Sequence, residues 1–171
     1  MIRVGIGFDV HAFGGPGPLR IGGVVVDAER GLAGTSDADV ALHALSDALL
    51  GAAAVGDLGE HFPSTDPRWD GADSAVIVAT VIDVLARAGF QVGNCDVTVI
   101  SQSVRIAPHR EAMRSAIARL VGVDVGAVSV KATTTDGLGA IGRDEGIAAM
   151  ATVSIVSADP RAPRRPSSDR S

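Results

Sequence analysis

The sequence predicts an α/β sandwich: a mixed β-sheet with helices packed on one face. Two observations carry this. The elements run β-β-α-α-β-α-β-β, with strands on both sides of the helices and between them, an order that suits a sheet covered by helices. The composition is that of a folded domain, with 46% apolar and 20% charged residues in a chain of 171, long enough to bury a real core. Its apolar residues are mostly Ala, Val, Leu and Ile, and only 3% of the chain is aromatic. A core with so few large anchors favours extra burial through association.

The first strand is expected over Arg3–Val10 and leads into the turn Gly14-Gly15-Pro16-Gly17-Pro18. A second is expected over Leu19–Val26, with Gly22-Gly23 as a bulge, followed by a loop from Asp27 to Thr35. Ser36, with Asp39 three residues on, resembles a capping box and is expected to begin a helix that runs to about Val55. Residues 56–73 are rich in Gly, Pro and Asp and lack periodicity, and loops of that length are commonly functional. Ser74 is expected to cap a second helix, ended by Gly89. Asp96–Ile100 alternates as a half-buried strand. Pro108 opens a third helix to about Val121. Val128–Thr133 is a strand, the Asp136–Gly139 turn follows, and Ile147–Val156 is expected to be buried on both faces. A single domain is expected over 1–157. Residues 158–171 hold Pro and Arg with almost no large apolar side chain, the composition of a disordered tail.

A net charge of −5 supplies no basic surface, so nucleic acid is not an expected partner. The single cysteine, Cys95, excludes an intrachain disulfide and suits a reducing compartment. No leader pattern opens the chain and no apolar run approaches twenty residues, so no membrane association is expected. The expected location is the cytoplasm.

Chemistry concentrates first in Gly5-Ile6-Gly7-Phe8-Asp9-Val10-His11. Residues two apart on a strand share a face, so Asp9 and His11 converge while Val10 packs on the other side. His43, on the first helix, supplies a third ligand. Asp39 and Asp47 at helical spacing offer acceptors for its other ring N–H. One carboxylate and two imidazoles leave a tetrahedral position open, the pattern of a catalytic zinc. The same residues also suit a strand-end histidine and a hydrogen-bonded core histidine. Thr133-Thr134-Thr135-Asp136 combines hydroxyls and a carboxylate that suit phosphate and Mg²⁺, or a plain strand end with an Asp-Gly turn. Arg143 in Gly142–Gly146, Asp57-Leu58-Gly59, and Phe62-Pro63-Ser64-Thr65-Asp66 are either ligand contacts or ordinary turns. His61 and His109 are expected to be surface or capping residues.

Taken together, Gly-x-Gly-Phe-Asp-Val-His, Ser36-Asp37-Ala38-Asp39-Val40-Ala41-Leu42-His43, Asp47-Ala48-Leu49-Leu50-Gly51-Ala52, Gly56-Asp57-Leu58-Gly59, Phe62-Pro63, Lys131–Thr135 and Gly142-Arg143 closely resemble the 2-C-methyl-D-erythritol 2,4-cyclodiphosphate synthases. The likeness covers about Arg3 to Ser157. It implies a phosphorus-oxygen lyase of the non-mevalonate isoprenoid pathway, which cyclises a CDP-linked methylerythritol 2-phosphate and releases CMP. It implies Zn²⁺, or another divalent cation, on Asp9, His11 and His43, and Mg²⁺ or Mn²⁺ at Asp136. Thr35 and Thr134 stand at catalytic positions. Substrate contacts are implied for Asp9, Val10, His11, Thr35 and Ser36, and for Asp57, Leu58, Gly59 and Phe62–Asp66 facing the methylerythritol. Ser101, Gln102, Ser103, Val104, Arg105, Ile106 and Ala107 with Thr133–Asp136 would form the cytidine pocket, with Ala140 and Arg143 nearby. The family assembles as a homotrimer with active sites between subunits and a central channel suited to an isoprenoid diphosphate, near Arg143 and Glu145.

Departures from that pattern are Thr35 for a frequent His, Asp136 for Glu, Ala140 for a frequent Phe, Ser64 for Asp, and Ile6 where some members have His. None removes a zinc ligand, so an active enzyme with altered affinity is expected.

Overall fold

Strand β1 (Ile2–Ala12) sorts its residues to two faces, burying Gly5 and Gly7 while Ile2, Val4, Ile6, Phe8 and Val10 stay more than half exposed. This computed structural model describes residues 1–34, 36–69 and 71–158. After β1 come β2 (Leu19–Ile21), β3 (Val24–Asp27), α1 (Val40–Ala53), α2 (Leu58–His61), α3 (Ser74–Arg87), β4 (Phe90–Ile100), α4 (Arg110–Val121), β5 (Val128–Thr133), α5 (Gly139–Gly142) and β6 (Gly146–Ser157).

The main sheet has the order β1-β6-β4-β5. β6 runs antiparallel to β1 and β4, whereas β4 and β5 are parallel. The mixed sheet is therefore as expected. β1, β4 and β5 consequently run the same way and end at one edge, where His11 faces Ile147 and Ile100 faces both Ala148 and Thr133. Helices cover one face only. Leu45 and Leu49 of α1, Val78 and Leu85 of α3, and Met113 and Ile117 of α4 are buried with Val97, Val99, Val153 and Ile155 of the sheet. Each such side chain contributes roughly 1.5–3 kcal/mol by leaving water.

The seam between β1 and α1 positions the site. A Cβ at Gly5 would lie 2.0 Å from the Ala48 carbonyl oxygen, and one at Gly7 would lie 2.0 Å from that of Ala44. Two glycines on the strand and alanines on the helix thus let the two backbones touch, bringing α1 down onto the end of β1.

Five expectations need correction. Ser74 does not cap α3 but is its first residue; Asp73 is the cap, its carboxylate accepting from Ala75 N–H. Leu19–Val26 is not one bulged strand: Gly22 and Gly23 both have positive φ (61° and 77°) and form the turn of the β2–β3 hairpin. Ser36 does not cap α1. Asp39 does, accepting from the Ala41 and Leu42 N–H groups. β6 is buried along its whole length only on its helix face: on the other, Gly146 and Ala148 are buried, Met150 is 43% exposed and Thr152, Ser154 and Val156 are half-buried, so double coverage does not extend along the strand. β4 begins at Phe90, directly after the Gly89 turn (φ 81°), and not at Asp96. Residues 56–73 contain α2 and a 3-10 turn at Pro67–Trp69. Of the expected tail only Ala158 is described, its N–H donating to Gly89 O. No helix among the described residues is long and apolar enough to cross a membrane. Cys95 is buried in the core, and burial pushes its thiol up to about 12.

Candidate metal centre

Asp9 and His11 share the helix-facing side of β1 at its C-terminal end, and α1 brings His43 down to meet them. Asp9 Oδ2 lies 2.9 Å from His11 Nε2 and 3.1 Å from His43 Nδ1, and the two ring nitrogens are 3.2 Å apart. A tetrahedral zinc with bonds of 2.0–2.1 Å has ligand–ligand edges of about 3.3 Å. The observed triangle is close to that size.

Hydrogen bonding orients the donors inward. His11 Nδ1 lies 2.9 Å from Ala33 O, a carbonyl that can only accept, so the ring proton sits there and Nε2 is left with its lone pair facing the triangle. His43 Nε2 points away to the hydroxyls of Ser74 (3.0 Å) and Ser36 (3.1 Å). Burial pushes the Asp9 carboxyl up, but the two imidazoles beside it, His11 and His43, outweigh this and hold Asp9 well below the usual carboxylate range. The neighbouring Asp9 carboxylate raises His11 against the opposing effect of burial. Three half-buried donors aimed at one point fit a divalent cation of the zinc type, with one side open.

Neither Asp39 nor Asp47 supports His43. Asp39 is fully buried and accepts four backbone N–H groups, those of Gly22 (2.8 Å), Gly23 (2.7 Å), Ala41 (3.1 Å) and Leu42 (3.1 Å). It ties the β2–β3 turn to the start of α1. Burial pushes its carboxyl up against those N–H groups. Asp47 accepts from Leu58 N–H at 2.8 Å and so anchors the long loop to α1. Burial raises it too, with Asp57 and Asp9 adding to the effect and the Leu58 N–H opposing. The groups that do meet the ring, Ser36 and Ser74, the latter backed by Asp37, were not marked by helical spacing.

The remaining expected residues gather on two sides. The parallel pairing of β4 with β5 joins the 101–107 segment to the 133–138 turn. Ser101 N–H donates to Thr133 O (3.1 Å), and Gly137 N–H to Gln102 Oε1 (3.3 Å). The Ser101 hydroxyl accepts from Val104 N–H, Ser103 bridges Arg30 and Asp144, Arg105 and Ala107 are exposed, and Ile106 is a core residue. The Thr134 hydroxyl donates to Asp136 Oδ1 (3.2 Å), and Thr135 donates to Leu138 O (2.7 Å). Thr133, Thr134, Asp136 and Ala140 are exposed, and Arg143 pairs with Glu145 at 2.6 Å. Three strand spacings, about 14 Å, separate this end of the edge from β1. Asp136 therefore does not join Asp9, His11 and His43 within the chain.

In the long loop, Asp57 caps α2 through Glu60 N–H. Phe62 is buried with its ring edge-on to Trp69 at 4.8 Å, Leu58 and Pro63 are half-buried, and Gly59, Ser64 and Thr65 are exposed. Arg68 grips Asp66. Thr35 lies outside the described residues. Its neighbour Gly34 lies against the His11 ring, and Ser36 meets His43. His61 Nε2–H donates to Val55 O at 2.7 Å, just past the end of α1.

Residues 2–156 match the model of the YgbB family. Among curated proteins, the 2-C-methyl-D-erythritol 2,4-cyclodiphosphate synthase of Vibrio vulnificus (strain YJ016) is 55% identical over 156 residues, 91% of this chain and 99% of the relative. That of Vibrio cholerae serotype O1 (strain M66-2) is 56% identical over 153 residues, 90% and 97%. Among solved structures, the bifunctional IspDF from Campylobacter jejuni superposes with a TM-score of 0.90 at 42% identity. The match covers 93% of this chain and 43% of that longer one. The CDP complex of IspF from Plasmodium falciparum gives 0.80 at 27% identity, covering 92% and 97%.

Proposed function

The chain belongs to the YgbB family, and we propose that it is the enzyme that converts 4-diphosphocytidyl-2-C-methyl-D-erythritol 2-phosphate to 2-C-methyl-D-erythritol 2,4-cyclodiphosphate. The observation that carries this is the triangle of Asp9, His11 and His43, whose metal-binding atoms converge while the ring protons point elsewhere. Relatives that match nearly end to end are named for this reaction. One solved relative is described as a CDP complex, which supports a CDP-linked substrate here.

An oxygen of the 2-phosphate attacks the β-phosphorus; the new P–O bond closes the ring as the bond to the bridging oxygen breaks and CMP departs. No protein nucleophile is needed, in keeping with a lone cysteine that is buried and held protonated. Two anions must be held together, so the protein's work is positioning and charge neutralisation. Asp9, His11 and His43 would hold Zn²⁺ and Asp136 would hold Mg²⁺ or Mn²⁺, which would supply Lewis-acid polarisation and charge neutralisation for the phosphates. Thr134 presents its hydroxyl from the exposed β5 turn, beside Asp136. Thr35 and Ser36 would offer backbone donors to the phosphates. The cytidine lies against residues 101–107 and 133–136, and the methylerythritol against Asp57, Gly59 and residues 62–66.

The working form is a homotrimer with each site shared between neighbours. The uncovered sheet face supports this: Ile2, Val4, Ile6, Phe8 and Val10 line up apolar and exposed beside Met150. The channel enclosed by that assembly would have room for an isoprenoid diphosphate near Arg143. The protein works in the cytoplasm. Incubation with the CDP-linked substrate, Zn²⁺ and Mg²⁺ is expected to yield CMP and the cyclic diphosphate in equal amounts. Release of inorganic phosphate in their place would identify a metal phosphoesterase and overturn the proposal.

A further inference from the structure

We propose that Ser74, held by Asp37, is the positioning residue that fixes the His43 ring for its metal. This rests on the reading of Asp9, His11 and His43 as a divalent-cation site. It concerns two residues that the reaction itself does not call upon.

Proton counting carries it. A hydroxyl has one proton to give, and a carboxylate can only accept. Ser74 Oγ makes its shortest contact with Asp37 Oδ1, and the Ser74 N–H donates to Asp37 Oδ2 at 3.2 Å. The hydroxyl proton is therefore committed to Asp37. Toward His43 Nε2, 3.0 Å away, Ser74 is left as an acceptor, so Nε2 carries the ring proton. Nδ1 is then left free for the ion that it would share with Asp9 Oδ2 and His11 Nε2, at 3.1 and 3.2 Å. Ser36 also reaches Nε2 at 3.1 Å, but its own proton is uncommitted among the described residues and it can serve either tautomer. Only Ser74 dictates one.

The hydroxyl is also held in place. Ser74 is fully buried as the first residue of α3, and Asp37 N–H donates to Ala72 O at 3.0 Å. Three hydrogen bonds thus clamp Asp37 to residues 72–74. The end of the long loop and the orientation of a metal ligand share this one junction.

The test is zinc affinity of the metal-free full chain, by competition with a chromophoric chelator. Ser74→Ala is expected to weaken zinc binding about 10- to 100-fold, the usual cost of losing a partner that orients a ligand. Ser36→Ala is expected to weaken it clearly less than Ser74→Ala, since the Ser36 hydroxyl can serve either tautomer. Asp37→Asn is expected to weaken it like Ser74→Ala. With one oxygen pledged to the Ser74 N–H, its amide would donate to Ser74 Oγ and turn the hydroxyl proton onto Nε2. Long-range ¹H–¹⁵N correlation of the metal-free wild type is expected to find His43 protonated at Nε2, and Ser74→Ala to mix the tautomers. An Nδ1-protonated His43 in the wild type overturns the inference, whether or not the variants fold. Zinc held equally by wild type and a folded Ser74→Ala overturns it as well. A wild type that binds no zinc overturns the reading of the metal site beneath it.

Discussion

At the β1 end of the sheet edge, Asp9, His11 and His43 are half-buried, pinned by a carbonyl and two hydroxyls, and carried on backbones pressed together through Gly5 and Gly7. At the β5 end, Thr134 and Asp136 stand exposed on a turn and bond chiefly to each other. The uncovered sheet face follows the same gradient, from the apolar stripe on β1 to the Lys131–Asp96 ion pair toward β5. A metal site must be set before substrate arrives, so packing builds it. The nucleotide pocket proposed at the second end, made of turns and exposed hydroxyls, would be finished by its ligand and, in the proposed trimer, by a neighbour. Substitutions at the first end should therefore disturb folding and chemistry together, and those at the second should disturb chemistry alone.

Gly7→Ala strikes the first end hardest. A Cβ 2.0 Å from Ala44 O and 2.7 Å from Ala48 N has backbone on every side and cannot be relieved by a side-chain shift. The expected cost is about 3 kcal/mol, a fall in melting temperature of roughly 10 °C, with loss of most zinc binding. A melt like that of the wild type would mean that the β1–α1 seam is looser than described.

Asp39→Ala comes next. It removes the α1 cap and leaves the Gly22 and Gly23 N–H groups without their partner. The expected loss, read by urea unfolding, is about 2 kcal/mol. Zinc affinity should survive better than in Gly7→Ala, since Asp39 touches no ligand.

Asp136→Asn is the smallest for the fold and the sharpest for the contrast. Asn tolerates the positive φ of 52° at this exposed position, so stability should move by under about 0.5 kcal/mol. CMP release should nevertheless fall by about tenfold or more, because a carboxylate that holds a metal on the diphosphate contributes several kcal/mol to such transfers. Asp136→Glu should retain activity. An Asp136→Asn variant with full turnover would move the second metal elsewhere.

The fold class and the shared face of Asp9 and His11 were legible in the sequence because they follow local rules, whereas His43 as their partner was left open by spacing and was implied by the resemblance. Alternation puts Asp9 and His11 on one face, and the Ala- and Leu-rich run after Asp39 has no other use than a buried helix. What escaped depends on contacts between distant segments. Ser36 and Asp39 are both acceptable caps, and the choice falls to Asp39 because its carboxylate also collects two N–H groups from a hairpin sixteen and seventeen residues earlier. Gly-Gly between two short apolar runs was available as a hairpin signal and is better suited to a turn than to a bulge. Ser74 carried only the signature of a helix start. Its hydroxyl meets His43 because α3 packs beside α1, a matter of tertiary packing that spacing along the chain does not encode.

The central claim is that Asp9, His11 and His43 hold the divalent ion that turnover requires. It is tested most directly by stripping wild type and His43→Ala of metal, supplying Mg²⁺, and titrating Zn²⁺ while following CMP release from the CDP-linked substrate. The account predicts that about one zinc per chain restores the wild type, and that His43→Ala stays about a thousandfold or more slower at any zinc concentration. Full CMP release by His43→Ala, or by wild type without zinc or any other ion at that site, would contradict it.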